Sequence, residues 1–334
     1  MKAVLARRHG PPESLQVEDL PPRAAGPGEV VVSVHASAVN FPDTLIIEDK
    51  YQLKPPLPFS PGGEVAGTVK EVGPGVAAFA AGDPVIAACR WGGFAEEVRT
   101  TPDRLVPIPR GVSMEAAASL LITYGTTQYA LQDCARIRPG ETLLVLGAAG
   151  GTGLSAIELG KLLGARVIAA ASTEEKLALC RARGADATIN YADENLRERI
   201  KALTDGRGVD VVYDPVGGAY AEPALRGMAW RGRYLVIGFT AGIPRLPLNL
   251  ALLKGCSIVG VFYGQFAKAE PERYAALRSE LIGWLAEGRI RPEITARYPL
   301  EQAAQALRVV ADRKAVGKIV LTTALGRGEV RGML

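Results

Sequence analysis

Thr142-Leu143-Leu144-Val145-Leu146 runs directly into Gly147-Ala148-Ala149-Gly150-Gly151-Thr152-Gly153, and a helical pattern over Gly151–Leu163 follows. The apolar run has the length and character of a buried strand. Phosphate groups need exposed backbone N–H groups and a helix N-terminus, which glycine allows to approach closely. A glycine-rich turn alone is also an ordinary tight turn, so its meaning depends on what surrounds it.

What surrounds it is a regular alternation. Apolar runs recur at Arg166–Ala171, Ala187–Tyr191, Val209–Tyr213, Arg233–Gly238 and Cys256–Tyr263, with helical patterns at Glu174–Arg183 and Glu194–Leu203. Runs of this apolarity separated by helices predict a parallel sheet covered on both faces. With the strand before the glycines, the series makes a doubly wound α/β dinucleotide (Rossmann) domain over residues 123–264. The glycine turn is then its first crossover.

The second strand of the series indicates which dinucleotide. A site for NAD usually ends that strand with an acid that binds the ribose 2′-hydroxyl. Here the strand ends Ala169-Ala170-Ala171-Ser172-Thr173, with no acid until Glu174, while Lys176 follows and Tyr191 closes the next strand. A 2′-phosphate is repelled by an acid and attracted by a lysine with hydroxyl donors. Lys176 also reads as a plain solvated helix residue, but the combination favours NADPH.

Residues 1–122 have another texture. Short apolar runs such as Val30–Val34 and Val65–Val72 lie between Gly26-Pro27-Gly28, Pro61-Gly62-Gly63, Gly73-Pro74-Gly75 and Gly82-Asp83-Pro84. Close-spaced strands with such turns predict an irregular β-barrel domain. Residues 265–334 carry helices near Glu272–Glu287 and Leu300–Asp312 and a strand at Gly317–Thr322, expected to return to that first domain. The tail from Ala324 to Leu334 reads as frayed.

The composition narrows the function classes. Of 334 residues, 48% are hydrophobic and 22% charged, as in a chain with an ordinary core. The net charge of +4 is spread without basic runs, so no nucleic-acid partner is expected. No segment reaches the roughly 18 unbroken apolar residues of a membrane span, and Met1-Lys2-Ala3-Val4-Leu5 enters a strand pattern without a signal region. Cys89, Cys134, Cys180 and Cys256 are too scattered for a disulfide framework or a metal knuckle. These features fit a cytoplasmic protein without membrane partners.

Several motifs in order resemble the medium-chain dehydrogenase/reductase superfamily, and within it the zinc-free, zeta-crystallin-like quinone oxidoreductases. They are Ala38-Val39-Asn40-Phe41-Pro42-Asp43, Pro61-Gly62-Gly63-Glu64-Val65-Ala66-Gly67, the Gly147–Gly153 turn, Gly208-Val209-Asp210-Val211-Val212-Tyr213-Asp214-Pro215-Val216-Gly217-Gly218 and Val316-Gly317-Lys318-Ile319-Val320. The resemblance implies a GroES-like barrel domain beside the Rossmann domain. In the zinc-dependent branch a Cys stands at the position of Asn40 and a His at that of Gly63. Zinc needs several N, S or O ligands together, and the chain has only His9 and His35, so no metal is expected. Without a metal to polarise a carbonyl, alcohol oxidation is difficult. Quinones and conjugated carbonyls, whose reduced forms delocalise charge, suit better as acceptors.

Carried over residue by residue, the resemblance implies Asn40 and Thr127 beside the nicotinamide. It implies Gly150, Gly151 and Thr152 under the pyrophosphate, and Ser172, Lys176 and Tyr191 around the 2′-phosphate. Gly238 and Phe239 resemble the loop near the adenosine ribose, and Phe262, Tyr263 and Gly264 the segment covering the nicotinamide end. Lys318 belongs to the returning segment that reaches the cleft, and the resemblance implies it among the cofactor-binding residues. Tyr51 matches a proposed proton donor and, with Asn40, is the candidate catalytic residue; alternatively it is a loop tyrosine packing against Pro55-Pro56-Leu57-Pro58. Asp43 reads first as a helix cap. The apolar strand Cys256–Tyr263 would be a sheet edge, which invites pairing, and relatives pair it, so a homodimer is expected. The leading function is NADPH:quinone oxidoreductase. The alternative is an NADPH-dependent reductase of conjugated alkenals, enones or enoyl thioesters, and a lesser one an NADPH-binding protein without significant turnover.

Overall fold

In the computed structural model, which describes residues 1–328, the chain divides into two compact units. One comprises Met1–Ile122 and the chain from Arg291 onward, the other Thr123–Ile290. The sequence places the return at 265. The boundary lies later because the helix Pro271–Ala286 packs within the second unit, where Gln128 Nε2 donates to Glu280 at 2.9 Å and Arg273 pairs with Asp133 at 2.6 Å.

The second unit is built on a six-stranded, all-parallel sheet. Across it run Ala187–Asn190, Arg166–Ala171, Thr142–Leu146, Val209–Asp214, Met228–Val236 and Ser257–Gly260. This is the doubly wound order, in which the chain reverses direction beside its first strand. Leu144, Ile168, Val212 and Tyr234 are fully or almost fully buried on one face of that sheet, packed with Ile200 and Leu225 from the covering helices.

The sixth strand is shorter than the sequence suggests. Val261 N makes the last ladder bond, to Val236 O at 3.1 Å, and Tyr263 already begins a helix, Tyr263–Ala269. Aromatic packing outweighs strand propensity here. Tyr263, Phe266 and Tyr274 cluster with Tyr129, whose ring stacks on Phe266 at 4.0 Å. Phe262 is left half-exposed before that helix, at 52%.

The first unit carries a seven-stranded mixed sheet. Its long strand Val30–Val39 pairs with Glu64–Val72, Glu97–Thr100 and, from the end of the chain, Lys318–Thr322. Ile294–Pro299 adds beside Lys318–Thr322, so both strands of the returning segment join this sheet. The close approach of strands needs glycine at Gly67, where a Cβ would lie 2.0 Å from Ser33 O. A hairpin, Lys2–Leu5 with Gln16–Asp19, forms its own two-stranded sheet and is tied to the segment before Glu97–Thr100 by Val4 N donating to Phe94 O at 2.8 Å and Glu96 N to Lys2 O at 2.9 Å. The described part of the tail is tied down: Thr323 Oγ1 donates to Val34 O at 2.5 Å and Arg327 Nη1 to Thr322 O at 2.7 Å. The rest of the stretch expected to fray lies outside the described residues. No helix among them is long and apolar enough to cross a membrane.

Candidate active site

The glycine turn is shaped by contacts that exclude side chains. Gly147 has φ +57°, and a Cβ on Gly153 would sit 2.4 Å from Gly147 O and 2.6 Å from the Ala148 backbone. Neither obstacle moves freely, so both glycines are required by the fold itself. Gly150 is different. It precedes the helix Gly151–Leu162, and a Cβ there would meet nothing nearer than Gly147 O at 3.4 Å. Folding does not demand glycine at that position, whereas a phosphate approaching the helix N-terminus does. The turn therefore fits a dinucleotide pyrophosphate.

Thr127 supports this turn from beneath. It is fully buried, and its hydroxyl lies 2.7 Å from Ser155 Oγ and 2.8 Å from Tyr213 Oη while donating to Thr123 O at 2.9 Å. Ser155 in turn donates to Thr152 O at 2.8 Å, so the network reaches the first turn of the helix. The hydroxyl expected beside a nicotinamide thus also braces, through Ser155, the backbone at Thr152.

Ser172, Lys176 and Tyr191 are brought together at adjoining strand ends. Thr173 caps the following helix, accepting from Lys176 N at 3.3 Å, and Lys176 Nζ lies 3.5 Å from Ser172 Oγ. Tyr191 N donates to Ala171 O at 3.1 Å, and its ring packs on Tyr220 at 4.2 Å. No acid ends the strand. A hydroxyl and an ammonium aimed together suit a 2′-phosphate.

Asp214 was not assigned from sequence. It accepts from Val216 N and Gly217 N, both at 2.8 Å, and from the Tyr234 hydroxyl, fixing the turn after the fourth strand. The signal was an acid closing an apolar strand before two glycines, both with positive φ. Gly238 continues that region, its N–H reaching Asp214 O at 3.3 Å, and the Phe239 ring lies along Gly217. Phe262 and Gly264 are exposed, while the Tyr263 hydroxyl rests against Gly125.

In the first unit, a buried charged cluster surrounds Asn40. Asp43 caps the helix Phe41–Ile47 as expected, accepting from Asn40 N at 2.8 Å, and its other oxygen accepts from Gly62 N at 3.2 Å. Glu64, which the sequence reading passed over, accepts from Asn40 Nδ2 at 3.0 Å and from Ile122 N at 2.9 Å. Lys318 Nζ donates to Asn40 Oδ1 at 2.6 Å and lies 3.5 Å from Glu64. Lys318 was expected among the cofactor ligands; its ammonium is spent inside this cluster. Burial lowers the Lys318 pKa and raises that of Glu64, each opposed by the other's charge. Tyr51 stands near enough to feel the Asp43 charge, which adds to burial in pushing its phenol pKa up. The phenol therefore stays protonated at neutral pH.

Burial also pushes the Asp43 carboxyl up to about 7, against the pull of the Asn40 and Gly62 N–H groups and Lys318. Its proton is then held more tightly in the folded protein than in the unfolded chain. The stabilisation this represents is complete below about pH 4 and is lost as pH rises through about 7. The stability difference between the wild type and Asp43→Asn should move against the wild type by roughly 2–3 kcal/mol between about pH 5 and about pH 8. Denaturant melts of both proteins across that range check it, and parallel curves would refute the assignment.

Two family patterns match the chain, "Alcohol dehydrogenase GroES-like domain" over residues 26–110 and "Zinc-binding dehydrogenase" over 151–281. A quinone oxidoreductase-like protein 2 homolog from Nematostella vectensis is 38% identical over 327 residues, 96% of this chain and 89% of the relative. A quinone oxidoreductase from Pseudomonas aeruginosa is 38% identical over 327 residues, 96% and 99% of the two chains. The structure of Escherichia coli quinone oxidoreductase complexed with NADPH superposes with a TM-score of 0.89 at 31% identity, covering 96% of this chain and 100% of that one. Zinc does not fit at Asn40. Among the described residues, the acids bonded to its backbone and amide, Asp43 and Glu64, are already satisfied by N–H donors and by the Lys318 ammonium, which repels a metal ion. Among the described residues no three His, Cys, Asp or Glu side chains group as a metal site. With the doubly wound sheet, the glycine turn and relatives of this identity over nearly its whole length, the chain belongs to the quinone oxidoreductase, zeta-crystallin-like group of the medium-chain dehydrogenase/reductase superfamily.

Proposed function

We propose that the protein is an NADPH:quinone oxidoreductase that works without zinc. The observation that carries the cofactor choice is the strand end where Ser172 and Lys176 converge without an acid. The bound NADPH would supply a hydride which, with one proton, turns a quinone into a hydroquinone and leaves NADP⁺. The chain's own tasks are binding, orientation and proton supply. Backbone N–H groups at Gly150, Gly151 and Thr152 take the pyrophosphate, and Ser172, Lys176 and Tyr191 the 2′-phosphate side. Gly238, Phe239, Phe262, Tyr263 and Gly264 line the remainder of the dinucleotide's path, with Thr127 stiffening the turn. Asn40 orients an amide partner by hydrogen bonding, and Tyr51 donates a proton or hydrogen bond to the developing oxyanion.

The test mixes the protein with NADPH and 1,4-benzoquinone, 9,10-phenanthrenequinone, crotonyl-CoA or 2-hexenal, with chelator and NADH controls. Fast, chelator-insensitive oxidation with the quinones is expected. Turnover confined to the enal or thioester would shift the assignment to a conjugated-carbonyl reductase, a reading favoured by the protonated phenol of Tyr51. Binding of NADPH without any turnover would refute both. Lys176→Glu should raise the KM for NADPH by about ten- to a hundredfold, since a charge-assisted bond becomes a repulsion. The KM for NADH should change little, and an equal rise for both would remove Lys176 from the phosphate site.

The reading includes a cytoplasmic homodimer joined through the Ser257–Gly260 edge. Supporting it, Leu252 is 80% exposed, and Leu253, Ile258 and Phe262 are also open around that edge. Light scattering that shows a monomer at micromolar concentration would refute the pairing.

A further inference from the structure

An asparagine amide has two nearly isosteric orientations, related by a flip, and the surrounding donors and acceptors choose between them. Asn40 lies between unlike charges. Its oxygen accepts from the Lys318 ammonium at 2.6 Å, and its nitrogen donates to the Glu64 carboxylate at 3.0 Å. Flipping the amide would set N–H groups against the ammonium and the oxygen against the carboxylate. Both charge-assisted bonds would become repulsions.

The two charges cannot readily step aside. Their side chains are 4% and 0% exposed, and the second oxygen of Glu64 is held by Ile122 N at 2.9 Å. Lys318 opens the strand paired antiparallel with Val30–Val39, the strand that ends immediately before Asn40. Backbone ladders therefore fix the ammonium and the amide in mutual register. Fold stability alone does not explain such an arrangement, because a buried ion pair is often no more stabilising than apolar residues of similar size. Orientation of the amide does explain it.

We propose that Glu64 and Lys318 are positioning residues for the reduction, holding the Asn40 amide in one flip so that an incoming group meets a defined edge of it. The proposal rests on the role given to Asn40 above. A ligand carbonyl meets a donor on one flip and an acceptor on the other, so a mixed population would orient the ligand correctly only part of the time.

The chain has four asparagines, Asn40, Asn190, Asn195 and Asn249, which makes the amide directly observable. Selective ¹⁵N-asparagine labelling yields few side-chain NH₂ pairs, and Asn40→Asp assigns the one of interest. In the wild type that pair should be single and slow to exchange with solvent. In Glu64→Gln and Lys318→Met it should broaden or split as the second flip becomes populated. The kcat with NADPH and 1,4-benzoquinone should fall by about ten- to a hundredfold, while the NADPH Kd from fluorescence titration stays within about threefold. Lys318→Arg, which keeps the charge and donors, should recover most of the rate. A single unchanged Asn40 pair in folded Glu64→Gln, or an unchanged kcat in either variant, overturns the proposal. If Lys318→Met does not fold, Glu64→Gln and Lys318→Arg carry the comparison. Should the wild type turn over no acceptor, the functional reading fails, while the Asn40 spectrum still decides the positioning.

Discussion

Gly153→Ala is expected to lower the thermal midpoint of the protein by about 6–12 °C and to abolish measurable NADPH binding at micromolar concentration. The added methyl would have to occupy space 2.4 Å from Gly147 O and 2.6 Å from two Ala148 backbone atoms. Overpacking against side chains costs about 1–3 kcal/mol, and backbone yields less readily, so a loss of roughly 3 kcal/mol is a reasonable scale. At about 2–4 °C per kcal/mol for a unit of this size, the stated fall follows. Gly150→Ala supplies the contrast, because its methyl meets only open space and one oxygen at 3.4 Å. It should melt within about 2 °C of the wild type, in keeping with a modest propensity effect, yet bind NADPH at least about tenfold more weakly. Calorimetry and fluorescence titration of the two variants distinguish structural from ligand-facing glycine. Equal losses of stability in both would contradict the division.

Tyr51→Phe should separate the two classes of acceptor. The phenol is kept protonated by burial and by the nearby Asp43 charge. Hydride addition to an enal or enoyl thioester leaves an enolate that must be protonated, so loss of a placed acid should cost about a hundredfold or more in kcat with 2-hexenal or crotonyl-CoA. A quinone yields an aromatic product whose charge is delocalised, and the same variant should lose less than about tenfold with 1,4-benzoquinone. The ratio of the two rates in wild type and variant is the measurement. A ratio that does not change would relegate Tyr51 to packing, where it touches the cluster containing Ile46, Ile47 and Phe59.

Much of the second unit was legible because its signals are local. The apolar runs that became Thr142–Leu146, Arg166–Ala171 and Val209–Asp214 are short, separated by helices, and punctuated by glycines at strand ends. The sixth strand was read too long because Phe262 and Tyr263 have high strand propensity, while the partners that turn Tyr263 into a helix lie as far away as Tyr129. The charged cluster was harder still. Asn40 and Lys318 are 278 residues apart, and only the pairing of two distant strands puts them in contact. Glu64 carried a clue, being an acid directly before the apolar Val65-Ala66-Gly67, but its partners cannot be named without the sheet.

The pairing of Val30–Val39 with Lys318–Thr322 also bears on how the molecule is made. Synthesis proceeds from the N-terminus, so the Thr123–Ile290 unit emerges as one uninterrupted stretch while the sheet begun by the first 122 residues still lacks two strands. During that interval Asp43 and Glu64 have no cation beside them, since Lys318 has not been made. The first domain to be started is the last to be completed, and the residue that neutralises its core arrives with the closing strand. A ribosome stalled before codon 318 would therefore hold the whole Thr123–Ile290 stretch beside a mixed sheet that still lacks its closing strand, open to proteases and chaperones until that strand is added.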